Sequence, residues 1–406
     1  MKHLRSIRAA ILLLALCMIF SSCSFLPEIP SLPSDAPKTS ESIVEPSGTE
    51  TTDATRDTVL TTDETTAIFI TTGTETTDTE ETTAPETEVE TNAPEIEDIP
   101  FVKGEYASSD GYNALLSFEN GEDMQLVYGR LKALADKIHA SEEIDAYPLE
   151  INATDTVENI IGSVPYPSTI SQEELFLVFN MFRADNPIYY WINNQIIFSS
   201  KDLYIMTVDD YANGEIRKGY STIIETKINE YLNAVKNETS AYKKALYFHD
   251  TIIKNMDYAA NDQGIMFEGL KYHNILGAFV EGSGVCESYA KAFQLLLNAS
   301  NIENCYVIGV SGTVMASGIG HVWNMIKLDD GKWYYCDLTW DDLGEDGDGI
   351  HYNNFCAGSE TDINEGFVGD PATFEAEHIE NLPSGTGEDF LYALPVASET
   401  KYIPET

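Results

Sequence analysis

Gly282-Ser283-Gly284-Val285-Cys286-Glu287-Ser288-Tyr289-Ala290-Lys291-Ala292-Phe293 is the stretch on which the reading of this chain turns. Two glycines and a serine make a turn, and helix formers then run unbroken to Asn298. Val285, Tyr289, Phe293, Leu296 and Leu297 follow helical spacing, which predicts a half-buried helix with Cys286 in its first turn. A thiol at that place meets unpaired backbone N–H groups and the positive end of the helix dipole, and both favour thiolate over thiol.

Gly320-His321-Val322-Trp323-Asn324 begins thirty-four residues after Cys286, and Trp333-Tyr334-Tyr335-Cys336-Asp337-Leu338-Thr339-Trp340 follows. Both stretches are short and rich in β-branched and aromatic residues. A turn at Asp329-Asp330-Gly331 joins them, so they read as a hairpin with His321 and Asp337 nearly opposite each other. A thiol, an imidazole and a carboxylate are the parts of a nucleophile, its base and the group that orients the base.

Three ordered blocks then resemble the transglutaminase-like superfamily in its bacterial surface-protein branch: Gly277 to Ala290, Gly320 to Asn324, and Asp337-Leu338-Thr339-Trp340-Asp341-Asp342. The resemblance is firm over residues 240–360 and looser back to 105. Ser288 departs from it, because this branch usually has glycine there. The resemblance implies an α+β fold, a nucleophile helix packed on an antiparallel sheet as in papain-like and transglutaminase cores. It implies Cys286, His321 and Asp337 as the catalytic set, with no cofactor and no metal. The backbone N–H of Cys286 would bind the oxyanion, with Tyr272, His273 and Asn274 as side-chain candidates just upstream.

The start of the chain has a different character. Lys2, Arg5 and Arg8 precede an apolar run from Ala9 to Phe20, and Ser21-Ser22-Cys23 follows. That pattern is a signal peptide, and the small residues before Cys23 resemble a lipoprotein cleavage site, so lipidation at Cys23 and an exported, membrane-anchored protein are expected. Residues 24–99 are dominated by Thr, Glu, Asp, Pro and Ser, with nineteen acidic and two basic side chains. Almost nothing there can be buried, which predicts a disordered stalk of 24–100, with a coil span of ~50 Å. The apolar trio Ile68-Phe69-Ile70 reads as a chance run.

From Phe101 the composition becomes globular. Residues 101–240 are expected to form a mainly helical extension. Its signs are an amphipathic helix through Val127, Leu131, Leu134 and Ile138, a capping box at Ser171 and Glu174, and a helix over 222–235. Two strands are expected at 189–198 and 203–208. The catalytic domain is placed at 241–380 and a C-terminal tail of uncertain order at 381–406. His249 shares a helix face with Ala245, Ile252 and Met256, so it reads as a satisfied core histidine. The acidic run Asp341, Asp342, Glu345, Asp346 and Asp348 does not match an EF-hand loop and reads as solvated. Cys305, Cys336 and Cys356 are expected as buried free thiols.

Residues 101–406 carry 48 acidic and 18 basic side chains, a net charge of −30. Such a surface repels nucleic acid and anionic headgroups and favours basic or neutral partners. The partner expected is a protein or peptide substrate, with the membrane reached only through the anchor at Cys23. The activity expected is a cysteine peptidase or amidase. A crosslinking transglutaminase is the alternative for the same triad, and a surface adhesion module the alternative without turnover. Trp323 and Trp340 could line a transglutaminase's lysine tunnel, but aromatics so near catalytic positions in short strands are more often core.

Overall fold

The computed structural model describes residues 59–61, 66–69, 100–151, 155–261, 266–311, 320–342, 349–364, 371–380 and 393–404. Cys23 and most of the expected stalk lie outside the described residues. All described residues belong to one compact unit, Thr58–Thr406.

Its N-terminal part is built on a six-stranded sheet. The strands are β1 (Val59–Thr61), β2 (Thr66–Phe69), β3 (Tyr147–Glu150), β4 (Thr156–Pro165), β5 (Ile192–Phe198) and β6 (Asp202–Thr207), in the order β1-β2-β5-β6-β4-β3. The helices of this part are α1 (Gly121–Ala140), α2 (Gln172–Asp185) and α3 (Gly214–Ala234). The capping box is formed: Glu174 N–H donates to Ser171 Oγ at 3.2 Å, and Ser171 N–H to the Glu174 carboxylate at 2.8 Å.

Residues 101–240 hold more helix than strand, as expected, with β3 and β4 added to the two expected strands. β4 escaped notice because its middle is covered on both faces. Ile160 packs with Ile197 and Met206, while Ile161 joins the main core, so the alternation that marks a strand is lost. One expectation is corrected here: part of the stretch read as a disordered stalk forms the β1–β2 hairpin. β2 runs parallel to β5, pairing Thr66 with Gln195 and Phe69 with Phe198. Ile68-Phe69, read as a chance run, belongs to that strand. β-branched and aromatic residues favour extension, and β5 would otherwise present an open edge.

The C-terminal part opens with α4 (Ala241–Asn255), N-capped by Ser240, whose Oγ accepts the N–H of Lys243. β7 (Asp257–Tyr258) then pairs with β8 (Ser283–Gly284) ahead of α5 (Cys286–Ala299). Between them, Gly282 takes φ +66°, a left-handed turn that glycine adopts without strain. An antiparallel sheet follows in the order β12-β11-β10-β9-β13. Its strands are β9 (Asn304–Ser311), β10 (Gly320–Lys327), β11 (Trp333–Cys336), β12 (Phe355–Ala357) and β13 (His378–Glu380). The hairpin turn falls where expected, with Gly331 at φ +78°.

α5 is buried on all sides rather than on one face: every residue from Glu287 to Asn298 is buried. β9 and β10 cover one side, and α3, α4 and the segment 270–281 cover the others. Four of its polar residues find partners inside the protein, while Gln294 Oε1 has none among the described residues. Lys291 pairs with Glu287, Asn298 donates to the Tyr106 carbonyl at 3.2 Å, and Ser288 Oγ–H donates to the Asn274 carbonyl at 2.7 Å. Ser288 fits because its neighbours lack a Cβ. One added at Gly284 would lie 2.5 Å from Ser288 Cβ, and one at Gly277 would lie 2.3 Å from its Oγ.

A further correction concerns the chain end. Residues 393–404, within the expected tail, lie along β11 and β12: Ser398 N–H donates to the Trp333 carbonyl at 2.8 Å, and Tyr402 N–H to that of Cys356 at 3.0 Å. These backbone bonds continue the pairing of the sheet's free edge.

Gly284→Ala should lower unfolding stability by roughly 1–3 kcal/mol through overpacking against Ser288. Adding Ser288→Gly should recover part of it. Urea denaturation of the single and double variants checks both, and an additive double variant would disprove the contact.

Candidate active site

Cys286 is the first residue of α5 and is half-buried, whereas Cys305, Cys336 and Cys356 are fully buried and free. The thiol is thus at the solvent-facing start of an otherwise enclosed helix. His321 stands near the start of β10, and its Nε2–H donates to Oδ2 of Asp337 at 2.6 Å. The Cys286 thiol lies near enough to this ring to act, with Asp337, on its charge. Since Nε2 is taken by the carboxylate, Nδ1 is the nitrogen left for sulfur. The structure therefore brings together the three side chains singled out in the sequence.

The register differs from the near-opposite pairing expected. Asn324 pairs with Cys336, so Asp337 follows β11 diagonally across from His321. Its backbone N–H donates to the Asn354 carbonyl at 3.1 Å. Asp337 also caps the short helix Leu338–Asp341, with Oδ1 accepting from the N–H groups of Thr339 at 3.0 Å and Trp340 at 3.2 Å. A cap fixes a carboxylate more tightly than a strand position does.

That short helix turns Asp341 inward, which corrects its reading as part of a solvated loop. Asp341 is fully buried, accepts from His249 Nε2 at 3.1 Å, and takes both the backbone N–H and the amide of Asn354. His249 faces Asp250 through Nδ1, also at 3.1 Å. Burial opposes charge on His249, but two carboxylates outweigh it and raise its pKa. His249 is thus a core residue that ties α4 to the turn carrying Asp337.

The charges at the centre follow from burial set against pairing. Burial disfavours the imidazolium of His321, yet Asp337 and then Cys286 raise its pKa to about 10. Burial likewise works to raise Asp337, but His321 and then His378 hold it well below the usual carboxylate range.

The upstream side-chain candidates do not converge on the thiol. His273 Nδ1 faces the Glu287 carboxylate at 3.4 Å. Asn274 donates to the Tyr190 carbonyl at 3.1 Å and accepts from Leu276 N–H at 2.8 Å. The ring of Tyr272 lies tilted against that of Phe267 at 5.5 Å, and its carbonyl accepts from Val285 N–H. Glu287 itself is disfavoured by burial but is held down to about 2 by Lys291 and His273. Tyr258, which sequence reasoning missed, is the phenol beside the thiol. It pairs with Gly284, two residues before Cys286, and desolvation together with the charges of Cys286 and Asp337 raises its pKa. Only strand pairing across the 24 residues between β7 and β8 brings it there, so no local signal marked it.

His378 was missed as well. Its Nε2 reaches the same Asp337 Oδ2 at 2.9 Å. His321, Asp337 and His378 have ligand atoms within 4.8 Å of one another and are the cluster among the described residues that could hold a metal. Hydrogen bonds of 2.6 and 2.9 Å to one shared oxygen already account for that closeness, and a metal ion would have to displace both protons. The set fits a hydrogen-bonded network better than a metal centre. Trp323 is buried in the core, and Trp340 is partly buried against it. Each ring lies 5.8 Å from that of His321.

Residues 229–338 match the Transglutaminase-like superfamily, so the chain contains a transglutaminase-like domain. Among solved structures, a candidate cysteine protease from Cytophaga hutchinsonii shares 20% identity over 28% of this chain and 37% of its own, with a TM-score of 0.22. A structure described as a TGase shares 15% over 36% of this chain and 43% of its own, with a TM-score of 0.22. A candidate protease from Parabacteroides distasonis shares 14% over 47% of this chain and 35% of its own, with a TM-score of 0.21. This chain thus spans less than half the length of each. Among curated proteins, none matches.

The raised His321 gives a signed expectation. Its ordinary value is 6.5, so the stability from its charged form is complete below about pH 6.5 and lost as pH rises through about 10. Asp337 acts in the opposite sense: its contribution is complete above the ordinary carboxylate range and lost as pH falls below it. The parent protein should therefore weaken between pH 6.5 and 10, and His321→Ala should remove that part of the slope in urea titrations. Asp337→Ala should cost roughly 3–5 kcal/mol at neutral pH, since it strips the partner from a buried pair.

Proposed function

We propose that this protein is an exported, thiol-dependent enzyme that cleaves amide bonds of proteins or peptides through Cys286, His321 and Asp337. The observation that carries this reading is the buried Asp337 carboxylate bonded to His321 at 2.6 Å, with the half-buried free thiol of Cys286 near enough to act on the charge of His321.

In the reaction, Cys286 sulfur attacks the amide carbonyl carbon, and the charge moves onto the carbonyl oxygen. N–H groups at the start of α5 can receive that charge. As the C–N bond breaks, His321 gives its proton to the leaving amine and a thioester remains. His321 then takes a proton from water, whose oxygen attacks the thioester. The acid leaves and the thiol is restored. Asp337 keeps the Nε2–H of His321 in place throughout, so that Nδ1 always faces sulfur.

Water rather than an amine is the proposed acceptor. An amine wins only where a dry aromatic passage leads to the thioester. Trp323 is 1% exposed and belongs to the core, so it lines no such passage. Tyr258, Met266 and Phe267, each about 40% exposed, are joined through β7 and the Ala260–Met266 bridge, a surface suited to an apolar side chain of the substrate.

The signal pattern before Cys23 supports export and lipid anchoring, and Cys23→Ala should release the protein from membranes. For the reaction, incubation with a glutamine-containing protein mixture and a tagged primary amine, followed by mass spectrometry, is decisive. New peptide ends or deamidated glutamines that vanish in Cys286→Ala are expected. Efficient amine incorporation would assign crosslinking instead, and no product across varied substrates would leave an adhesion role.

A further inference from the structure

His378 lies 40 residues beyond residue 338, where the family match ends, and it reaches the site on β13, the edge strand paired with β9. Its side chain is fully buried. Phe374 stacks flat on its ring at 3.7 Å and 6°, and the rings of Trp340 and Trp323 lie 4.7 and 5.0 Å away. Its Nδ1 meets the Phe374 carbonyl at 3.1 Å, and its Nε2 meets Asp337 Oδ2 at 2.9 Å. A histidine enclosed this fully and aimed at the carboxylate that orients the base is placed to act on that carboxylate.

An ionised carboxylate offers about four acceptor sites. In Asp337, Oδ1 takes the N–H groups of Thr339 and Trp340, and Oδ2 takes those of His321 and His378. We propose that His378 is a positioning residue: by donating to Oδ2 it fills the last acceptor site of Asp337, fixes the carboxylate against His321, and limits the charge that His321 receives. It acts through Asp337 and touches no reacting atom. The titratable groups facing it are Asp337 and His321; its other neighbours are aromatic rings and the Phe374 carbonyl. The inference rests on the reading of Cys286 and His321 as nucleophile and base.

Two measurements test it. The rate of Cys286 alkylation by iodoacetamide is followed against pH in the full protein, in His378→Leu and in His378→Gln. Leucine removes the donor, whereas the glutamine amide can still offer an N–H to Oδ2. Expected for His378→Leu are a roughly tenfold slower plateau, the usual scale for removing a partner of this kind, and an alkaline limb moved to higher pH, because Asp337 then acts on His321 alone. His378→Gln should restore both to near the parent. A purely packing role would lower stability without moving the limb. A His378→Leu profile that overlays the parent, or a His378→Gln profile as altered as that of His378→Leu, overturns the proposal.

Should His378→Leu fail to fold, ring N–H resonances of the unaltered protein decide. Two low-field protons, on Nε2 of His321 and of His378, are expected, and only the second should disappear in His378→Gln. A single such proton in the unaltered protein overturns the proposal. Failure of the nucleophile reading looks different: Cys286 of the unaltered protein would label no faster than Cys305, whatever the ring protons show.

Discussion

A negative charge 1% exposed has to be neutralised by the protein itself, and Asp337 is that charge. Left alone in an apolar interior it would take up a proton. Two backbone N–H groups and two imidazoles prevent this, and each comes from a part of the chain that must be in place for the site to exist. The short helix after β11 supplies the first pair, β10 supplies His321, and β13 supplies His378. The carboxylate is therefore both the electrostatic centre of the site and the point where the strands of the sheet are locked in register.

A second constraint works on α5. A helix covered on every side must satisfy its polar side chains within the fold, and Glu287, Lys291, Ser288 and Asn298 do so with named partners. Enclosure leaves only the two end residues of the helix half-buried, and the first of them is Cys286. Rigid burial behind the thiol and exposure in front of it come from the same packing.

Much of this was legible from local pattern. Helical spacing from Val285 to Leu297, the capping box at Ser171 and the turn before Gly331 each depend on neighbours in the chain, and the elements they mark lie where they were expected. So does the meeting of Cys286, His321 and Asp337, which needed only one helix start and one hairpin. What escaped depends on contacts between distant segments. β4 lost its alternation because both faces are covered. Tyr258 reaches the thiol only through pairing with Gly284, and His378 reaches Asp337 only because β13 adds to the far edge of the sheet. Asp341 looked like one more acid in an acidic run until the cap at Asp337 turned it inward. Solvation and burial of a single carboxylate cannot be told apart by composition.

One hydrophobic core runs from Leu115 to Cys356 without a break between the N-terminal sheet and the nucleophile helix. The segment that carries the family likeness is consequently not a module in the physical sense. Cut out at 229–338, it would keep the three reactive side chains but lose β12 and β13 of the sheet and most of α3 beside α5. The family match covers about a quarter of the chain, while the compact unit that holds it runs over Thr58–Thr406.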